Sequence, residues 1–286
     1  MIRYIGFVVV LGSVLGGFTV AGGSVITLIQ PAEFIVLLGA ALGSVLISLS
    51  PAMLAKTKKR LAGIFGASPF TKAMAEQLLQ LLYHLTIVVK REGVIALEGH
   101  LRDPKTSTIF SNYPLVGKNH EIMHFVVEAL TLQVDGAVSP EDLKGILERE
   151  LDTHHAEESV PAGAIAKVGD SFPGLGIVAA VLGIIVTMKY MSHGAAAVGK
   201  HVAAALVGTF LGVLIAYGFL GPMAAAMEQE LKDETNFFEA ISVGMTAFAQ
   251  GKAPVVVAEV ARRVLFTYNR PGREEIEEKC KSLRAA

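Results

Sequence analysis

The sequence of 286 residues has no tryptophan, only one cysteine and long stretches without charge. The single cysteine, Cys280, excludes an internal disulfide, and no histidine or cysteine cluster shows the spacing of metal ligands. The net charge is −1 and no basic stripe carries interleaved aromatic residues, which argues against nucleic acid as a partner. No nucleophile elbow, P-loop or HExxH motif is present. The sequence therefore predicts neither an enzyme nor a bound cofactor or metal.

Hydrophobic residues make up 52% of the chain, and the excess lies in four uncharged runs. The first two, 4–32 and 34–55, are separated only by Glu33, and the other two are 171–188 and 201–227. Each is long enough to cross the ~30 Å hydrocarbon core of a bilayer as a helix. No clear small-residue cleavage site follows the first run, so we interpret it as a retained helix rather than a signal peptide. The runs predict four transmembrane helices.

The distribution of basic residues predicts the orientation of these helices. Lys56, Lys58, Lys59 and Arg60 directly follow the second run, whereas 22–33 has no lysine or arginine. The positive-inside rule then places the middle segment and both termini in the cytoplasm, with the spans in the inner membrane. Lys189 and Lys200 lie in the predicted outer link, where long side chains can snorkel.

The remaining segments predict soluble helices. Leucines at helical spacing indicate a helix from about Thr71 to Arg91 that Gly93 ends, and the sequence Ser-Pro-Glu-Asp at 139–142 predicts a second that runs to about His155. Further helices are expected near 234–250, 256–267 and 272–286. The predicted fold is all-α, with spans one and two in 1–55, a cytoplasmic helical domain in 56–170 inserted between the second and third spans, spans three and four in 171–227, and a helical C-terminal tail in 228–286.

The spans are expected to contain no ionisable residue, because Asp170 and His201 lie at span borders. Such groups inside a membrane are costly and mark ion pathways. If ions cross here, the titrating carboxylate is therefore expected from another chain. Small residues four positions apart allow close approach of helices, either within one chain or between chains. These pairs are Gly12 and Gly16, Gly39 and Gly43, and Gly208 and Gly212.

The spacing Ala205-Leu206-x-Gly208-Thr209-Phe210-x-Gly212-x-Leu214, followed after seven residues by Pro222, resembles the signature of the MotA family, the larger subunit of the flagellar stator. Pro173 stands where that family has its other membrane-boundary proline. The resemblance extends through all four runs and the middle segment. It implies a homo-oligomer, a pentamer in that family, that surrounds the single transmembrane helices of a MotB-like partner whose aspartate carries the ion.

The resemblance also implies roles for individual residues. Thr209 and Ala180 would line the ion path, while Pro173, Pro222 and Asp170 would couple ion passage to a conformational change. Lys90, Arg91 and Glu98 would contact the rotor protein FliG. Lys90 stands where arginine is typical and Arg91 is its neighbour, so the resemblance leaves open which of them makes the contact.

The residues themselves allow simpler interpretations. A threonine hydroxyl such as that of Thr209 often bonds its own helix backbone, and basic residues near 90 also complement a helix dipole. Helix-start geometry alone would account for Pro173, whereas Pro222 more plainly indicates a break in the fourth span.

Three other classes of protein fit the sequence less well than a stator subunit. An ExbB-like or TolQ-like energy transducer typically has three spans and an outside N-terminus, whereas this sequence predicts four spans and a cytoplasmic N-terminus. A secondary transporter needs inverted repeats, which the two hairpins lack, and a membrane scaffold would leave Thr209 and the two prolines without a common purpose. The surroundings of Thr209, with Val207, Phe210 and Ile177, are poor in side-chain oxygens, which favours a proton over sodium as the ion.

Overall fold

The structure, a computed structural model, describes residues 2–136 and 138–285, and every regular element in these ranges is helical. The α-helices are α1 (Ile2–Val20), α2 (Pro31–Ser48), α3 (Pro51–Gly63), α4 (Lys72–Glu92), α5 (Glu98–Arg102), α6 (Pro114–Gly117), α7 (His120–Val134), α8 (Pro140–Met188), α9 (Ala195–Ile215), α10 (Gly221–Ala249), α11 (Pro254–Val264) and α12 (Arg273–Ala285). Single 3₁₀ turns lie at Val25–Leu28, Val94–Leu97, Phe110–Asn112 and Met191–His193, and a π-helical turn lies at Ala216–Leu220.

The chain forms two compact units. The first comprises Met1–Ala67 and Glu158–Gln229, and the second comprises Ser68–Glu157 and Glu230–Ala286. The middle segment and the C-terminal tail, which are far apart in sequence, thus fold together in the second unit.

The first unit contains α1, α2, α9 and the apolar C-terminal part of α8. Within the described residues four helical segments are long and apolar enough to cross a bilayer: α1, α2, the apolar part of α8, and the continuous helix Ala195–Ala249 that includes α9. The second span is shorter than its uncharged run predicts, because the Met53 N–H donates to Ser50 Oγ at 3.4 Å and caps a new helix, α3.

The basic residues of α3 have a structural role that the charge pattern did not reveal. Lys56 Nζ lies 2.7 Å from Glu158 Oε1, and Arg60 Nη2 lies 2.6 Å from Glu158 Oε2. The Glu158 carboxylate is buried. Because a buried charge is tolerated only when it is paired, these contacts attach α3 to α8.

The second unit has its own apolar core around α4. The leucines predicted to line this helix, Leu78, Leu79, Leu81, Leu82 and Leu85, are all buried, and the core extends to α7, α10, α11 and α12. Its predicted start and end are confirmed. The Met74 N–H donates to Thr71 Oγ1 at 3.3 Å, and Gly93 ends the helix with a φ of 86°, a conformation that favours glycine.

Helix α8 differs most from the prediction. Its start is confirmed, since the Asp142 N–H donates to Ser139 Oγ at 3.1 Å. The predicted end near His155 is wrong, because α8 continues over 49 residues to Met188 with Pro161 and Pro173 inside it. Pro173 therefore does not begin a helix. The φ of proline is compatible with a helix, although each proline removes one hydrogen bond. The neighbouring residues Ala162 and Phe172 are buried, so the helix is held by packing at both prolines.

The break predicted at Pro222 is a change in helix type rather than an end. The π-helical turn Ala216–Leu220 precedes α10, in which Pro222 is the second residue, and the chain remains helical from Ala195 to Ala249. Proline has no N–H to donate to the carbonyl four residues earlier, and a widened turn accommodates that loss.

Candidate functional site

A carboxylate lies inside one of the candidate spans, so the expectation that the spans contain no ionisable residue is wrong. Glu33 is the third residue of α2, and only 7% of its surface is exposed. Its Oε2 atom has no hydrogen-bond partner among the described residues. In the sequence Glu33 separates two apolar runs. In the structure the second helix begins earlier, at Pro31 after the capping residue Gln30, so that Glu33 is part of α2.

Two glycines make the space that the Glu33 side chain occupies. A Cβ atom added to Gly208 of α9 would overlap Glu33 Oε2, and it would lie 3.0 Å from Ala179 Cβ of α8. A Cβ added to Gly183 would lie 2.6 Å from Ala205 Cβ and 3.5 Å from Glu33 Oε1. The carboxyl group of α2 is thus inserted where α8 and α9 meet.

Glycines also allow the backbones of α8 and α9 to touch. A Cβ added to Gly212 would lie 2.6 Å from the Phe172 carbonyl, and one added to Gly176 would lie 2.8 Å from the Gly208 carbonyl. The pair Gly208 and Gly212 therefore packs within the chain, as helices in lipid do when small residues face each other. By contrast, nothing among the described residues lies within 4 Å of the corresponding positions on Gly12, Gly16, Gly39 and Gly43.

Thr209 bonds the facing helix rather than its own. Its Oγ1 donates to the Gly176 carbonyl of α8 at 3.4 Å, a long and therefore weak hydrogen bond. Gly208, which adjoins the Glu33 carboxyl, directly precedes Thr209 in the sequence. The Thr209 hydroxyl and the Glu33 carboxyl therefore lie in the same part of the contact among α2, α8 and α9. Ala180, the other residue expected in the ion path, is buried on α8 beside Ala179.

The residues expected to couple ion flow to movement lie at different places on the same helices. Asp170 is exposed on α8, three residues before Pro173, and Pro222 is exposed at the start of α10. Gly169, next to Asp170, packs against Leu220, since an added Cβ there would lie 3.2 Å from Leu220 Cβ. The π-helical turn that precedes Pro222 is thus in contact with α8 next to Asp170.

The three residues expected to contact the rotor are exposed around a glycine turn of the second unit. Lys90 and Arg91 are in the last turn of α4, and Glu98 is the first residue of α5. Gly93 and the turn Val94–Leu97 separate them. Exposed charges of both signs at a helix junction form a surface that a partner of complementary charge can bind.

A carboxyl group between apolar helices is costly in a bilayer and indicates a site for ions or protons. The comparisons with known proteins agree. Residues 4–93 match the Motility protein A N-terminal family, and residues 118–240 match the MotA/TolQ/ExbB proton channel family. Motility protein A of Escherichia coli (strain K12) is 36% identical over 284 residues, which cover 99% of this chain and 96% of that protein. The chain belongs to the Motility protein A family.

Solved structures share the fold. The chain matches the C. jejuni MotAB structure with a TM-score of 0.76 at 20% identity, over 94% of this chain and 96% of that chain. It matches the flagellar MotAB stator complex from Bacillus subtilis with a TM-score of 0.75 at 22% identity, over 96% and 98% of the two chains.

Proposed function

We propose that this chain is the channel subunit of a flagellar stator that uses ion flow to turn a rotor. Copies of the chain surround the transmembrane helices of a MotB-like partner, and a carboxylate of that partner carries the ion past Thr209 and Ala180. The observation that supports this most directly is the joint placement of Glu33 and Thr209 where α2, α8 and α9 meet. The match to Motility protein A along 99% of the chain supports a stator more than an ExbB-like or TolQ-like transducer.

The distribution of charge supports one orientation of the spans in the membrane. The link between α1 and α2 contains no lysine or arginine, whereas α3 contains four basic residues. In the proposed arrangement the second unit and both termini are cytoplasmic and the spans lie in the inner membrane. Glu33 is then near the outer ends of the spans, on the side from which the ion enters.

Self-association is supported by apolar surface on the first unit. Helix α1 has no buried residue within the chain, and Gly39 and Gly43 of α2 have open space beside them. Lipid covers part of such a surface, and small residues on it permit close packing of a neighbouring helix. We propose a homo-oligomer, with the pentamer of the family as its form.

The second unit transmits force in this proposal. Lys90, Arg91 and Glu98 contact FliG through charge, while Pro173, Pro222 and Asp170 couple the ion site to the second unit. The widened turn Ala216–Leu220 supports this role, because π-helical turns recur at functional positions and mark where a helix can change its hydrogen bonds.

We further propose that the ion is a proton. The Glu33 carboxyl corrects the view that the site is poor in side-chain oxygens, yet one carboxyl and one hydroxyl provide far fewer ligands than a hard cation requires. A proton needs only water and a protonatable group.

A complementation experiment tests these proposals together. Expressed with its MotB-like partner in a stator-null cell, the chain should restore swimming that persists when external sodium is replaced by potassium and stops with a protonophore. The chain without the partner should give no swimming and no proton flux. Swimming that follows external sodium would contradict the proton, and flux through the chain alone would contradict the need for a partner carboxylate.

A further inference from the structure

Three side chains of the types that serve as ligands of transition metals converge in the second unit. They are Glu121 at the start of α7, His154 of α8 and Glu234 of α10. Their ligand atoms, one from each residue, all lie within 4.8 Å of one another. We propose that these side chains bind a divalent transition-metal ion, and that zinc is the ion that fits their chemistry. This site is separate from the membrane site above and does not depend on the stator function.

One pair of ligand atoms already lies close to the separation that a zinc site requires. Zinc holds imidazole nitrogen at about 2.0–2.1 Å and carboxylate oxygen at about 2.0–2.2 Å, so two ligands at a tetrahedral angle are about 3.3–3.5 Å apart. His154 Nε2 and Glu234 Oε1 are 3.1 Å apart. The third ligand, Glu121, is exposed and can approach by rotation of its own side chain.

A buried carboxylate and an apolar wall on one side of the three ligands favour a bound cation. Glu234 is fully buried, and the His154 ring packs against Phe238 with 4.7 Å between ring centroids. Phe125 packs edge-on against Phe238 at 5.1 Å, which completes an apolar wall. Electrostatic attraction between an ion and the buried Glu234 carboxylate is stronger beside such a wall than in water.

A cavity of about 280 Å³ is lined by two of the three ligands, Glu121 and His154. It is lined by further groups able to bind the ion or a water on it, including His120, His124 and Glu150. The cavity therefore provides a route for the ion and a place for water as a fourth ligand.

The donor set selects the kind of ion. Magnesium and calcium prefer sites made only of oxygen, whereas an imidazole nitrogen beside two carboxylates suits zinc and its neighbours in the transition series. A bound ion would tie α7 to α8 and α10, and binding to the folded state alone would stabilise the second unit.

Zinc binding by the full-length chain in detergent tests the proposal. The chain is purified through a tag without histidine, stripped with EDTA and titrated with zinc chloride by calorimetry. We expect saturation at one zinc per chain, a rise of the unfolding temperature with zinc, and a visible absorption band of tetrahedral type when cobalt(II) replaces zinc. Absence of saturable binding would overturn the proposal.

Variants identify the ligands. Glu121→Gln removes an exposed carboxylate, so the zinc-free variant should unfold at the temperature of the wild type but bind zinc about tenfold or more weakly. Glu148→Gln, which removes an exposed carboxylate elsewhere, should bind as the wild type does.

The histidine pair of α7 needs its own control, because His120 and His124 lie one turn apart with 6.2 Å between ring centroids. The double variant H120Q/H124Q should keep one zinc per chain. If this variant loses zinc while Glu121→Gln retains full affinity, the ion binds the histidine pair and the proposed site is wrong.

Discussion

Glu33 is the residue for which the structure makes the sharpest prediction, because its buried carboxyl costs stability where it lies. A buried polar atom without a partner costs about 1–3 kcal/mol, and Glu33 Oε2 is such an atom among the described residues. Glu33→Met replaces the carboxyl by an apolar group of similar length. We expect this variant to raise the stability of the first unit by about 1–3 kcal/mol, since that cost is removed.

The same substitution should impair function if the carboxyl takes part in ion transfer. Co-expressed with the partner in stator-null cells, Glu33→Met should swim slowly or not at all and should take up protons more slowly than the wild type. Glu33→Gln keeps the shape and polarity but cannot exchange a proton in this way, so it should show the same loss. Ile35→Met, on the exposed side of the same helix, serves as the control and should swim normally.

Opposite changes of stability and swimming separate a functional carboxyl from a structural one. Thermal unfolding of the detergent-purified chain measures the first, and swimming speed with proton uptake measures the second. Normal speed and normal uptake in both Glu33→Met and Glu33→Gln would refute a role for Glu33 in the ion path.

The contact between Glu33 and Gly208 can be tested independently. Gly208→Ala would bring a methyl group onto Glu33 Oε2, so it should destabilise the first unit, and Glu33→Ala in the same chain should relieve that part of the effect. A double-mutant cycle should give a coupling energy of about 0.5–3 kcal/mol. Gly43→Ala, beside open space in the chain, is the matched control. Strict additivity of the two changes would show that Glu33 and Gly208 do not touch.

The remaining predictions concern the second unit and the topology. Reversing the charges of Lys90 and Arg91 together, or of Glu98, should reduce torque at unchanged membrane levels of the protein, because exposed charges steer docking. The control variant Glu92→Lys should swim normally. Normal swimming in all three variants would show that these residues are only the solvated end of a helix. In a Cys280→Ser background, an impermeant maleimide should label Ser24→Cys but not Lys59→Cys in intact cells. The reverse labelling pattern would show that the topology is the opposite of the one proposed. Position 59 is used because Thr57 is buried. Burial raises the pKa of the Cys280 thiol to about 11, so at neutral pH little thiolate is present and alkylation of the native chain should be slow until it is unfolded; rapid reaction would contradict its buried position.

The sequence by itself determined the features that depend on local composition. The number of candidate spans follows from the length of the uncharged runs, and the start and end of α4 follow from Thr71 and Gly93. The spacing around Gly208 and Thr209, together with the four apolar runs and the two prolines, was sufficient to indicate the family. These features were predictable because hydrophobic length, capping and glycine conformation act within a few residues.

Only the tertiary structure decided which distant residues meet. In the sequence Glu33 only separated two apolar runs. The glycines that it contacts, Gly183 and Gly208, are more than a hundred residues away, and a glycine has no side chain from which a contact could be predicted. Glu121, His154 and Glu234 form no spacing motif for the same reason, since they come from three helices. Helix α8 passes its predicted end and both prolines because the packing of its neighbours outweighs the local preference to stop. Contacts of this kind depend on how helices pack, and the packing energy belongs to pairs of segments rather than to either segment alone.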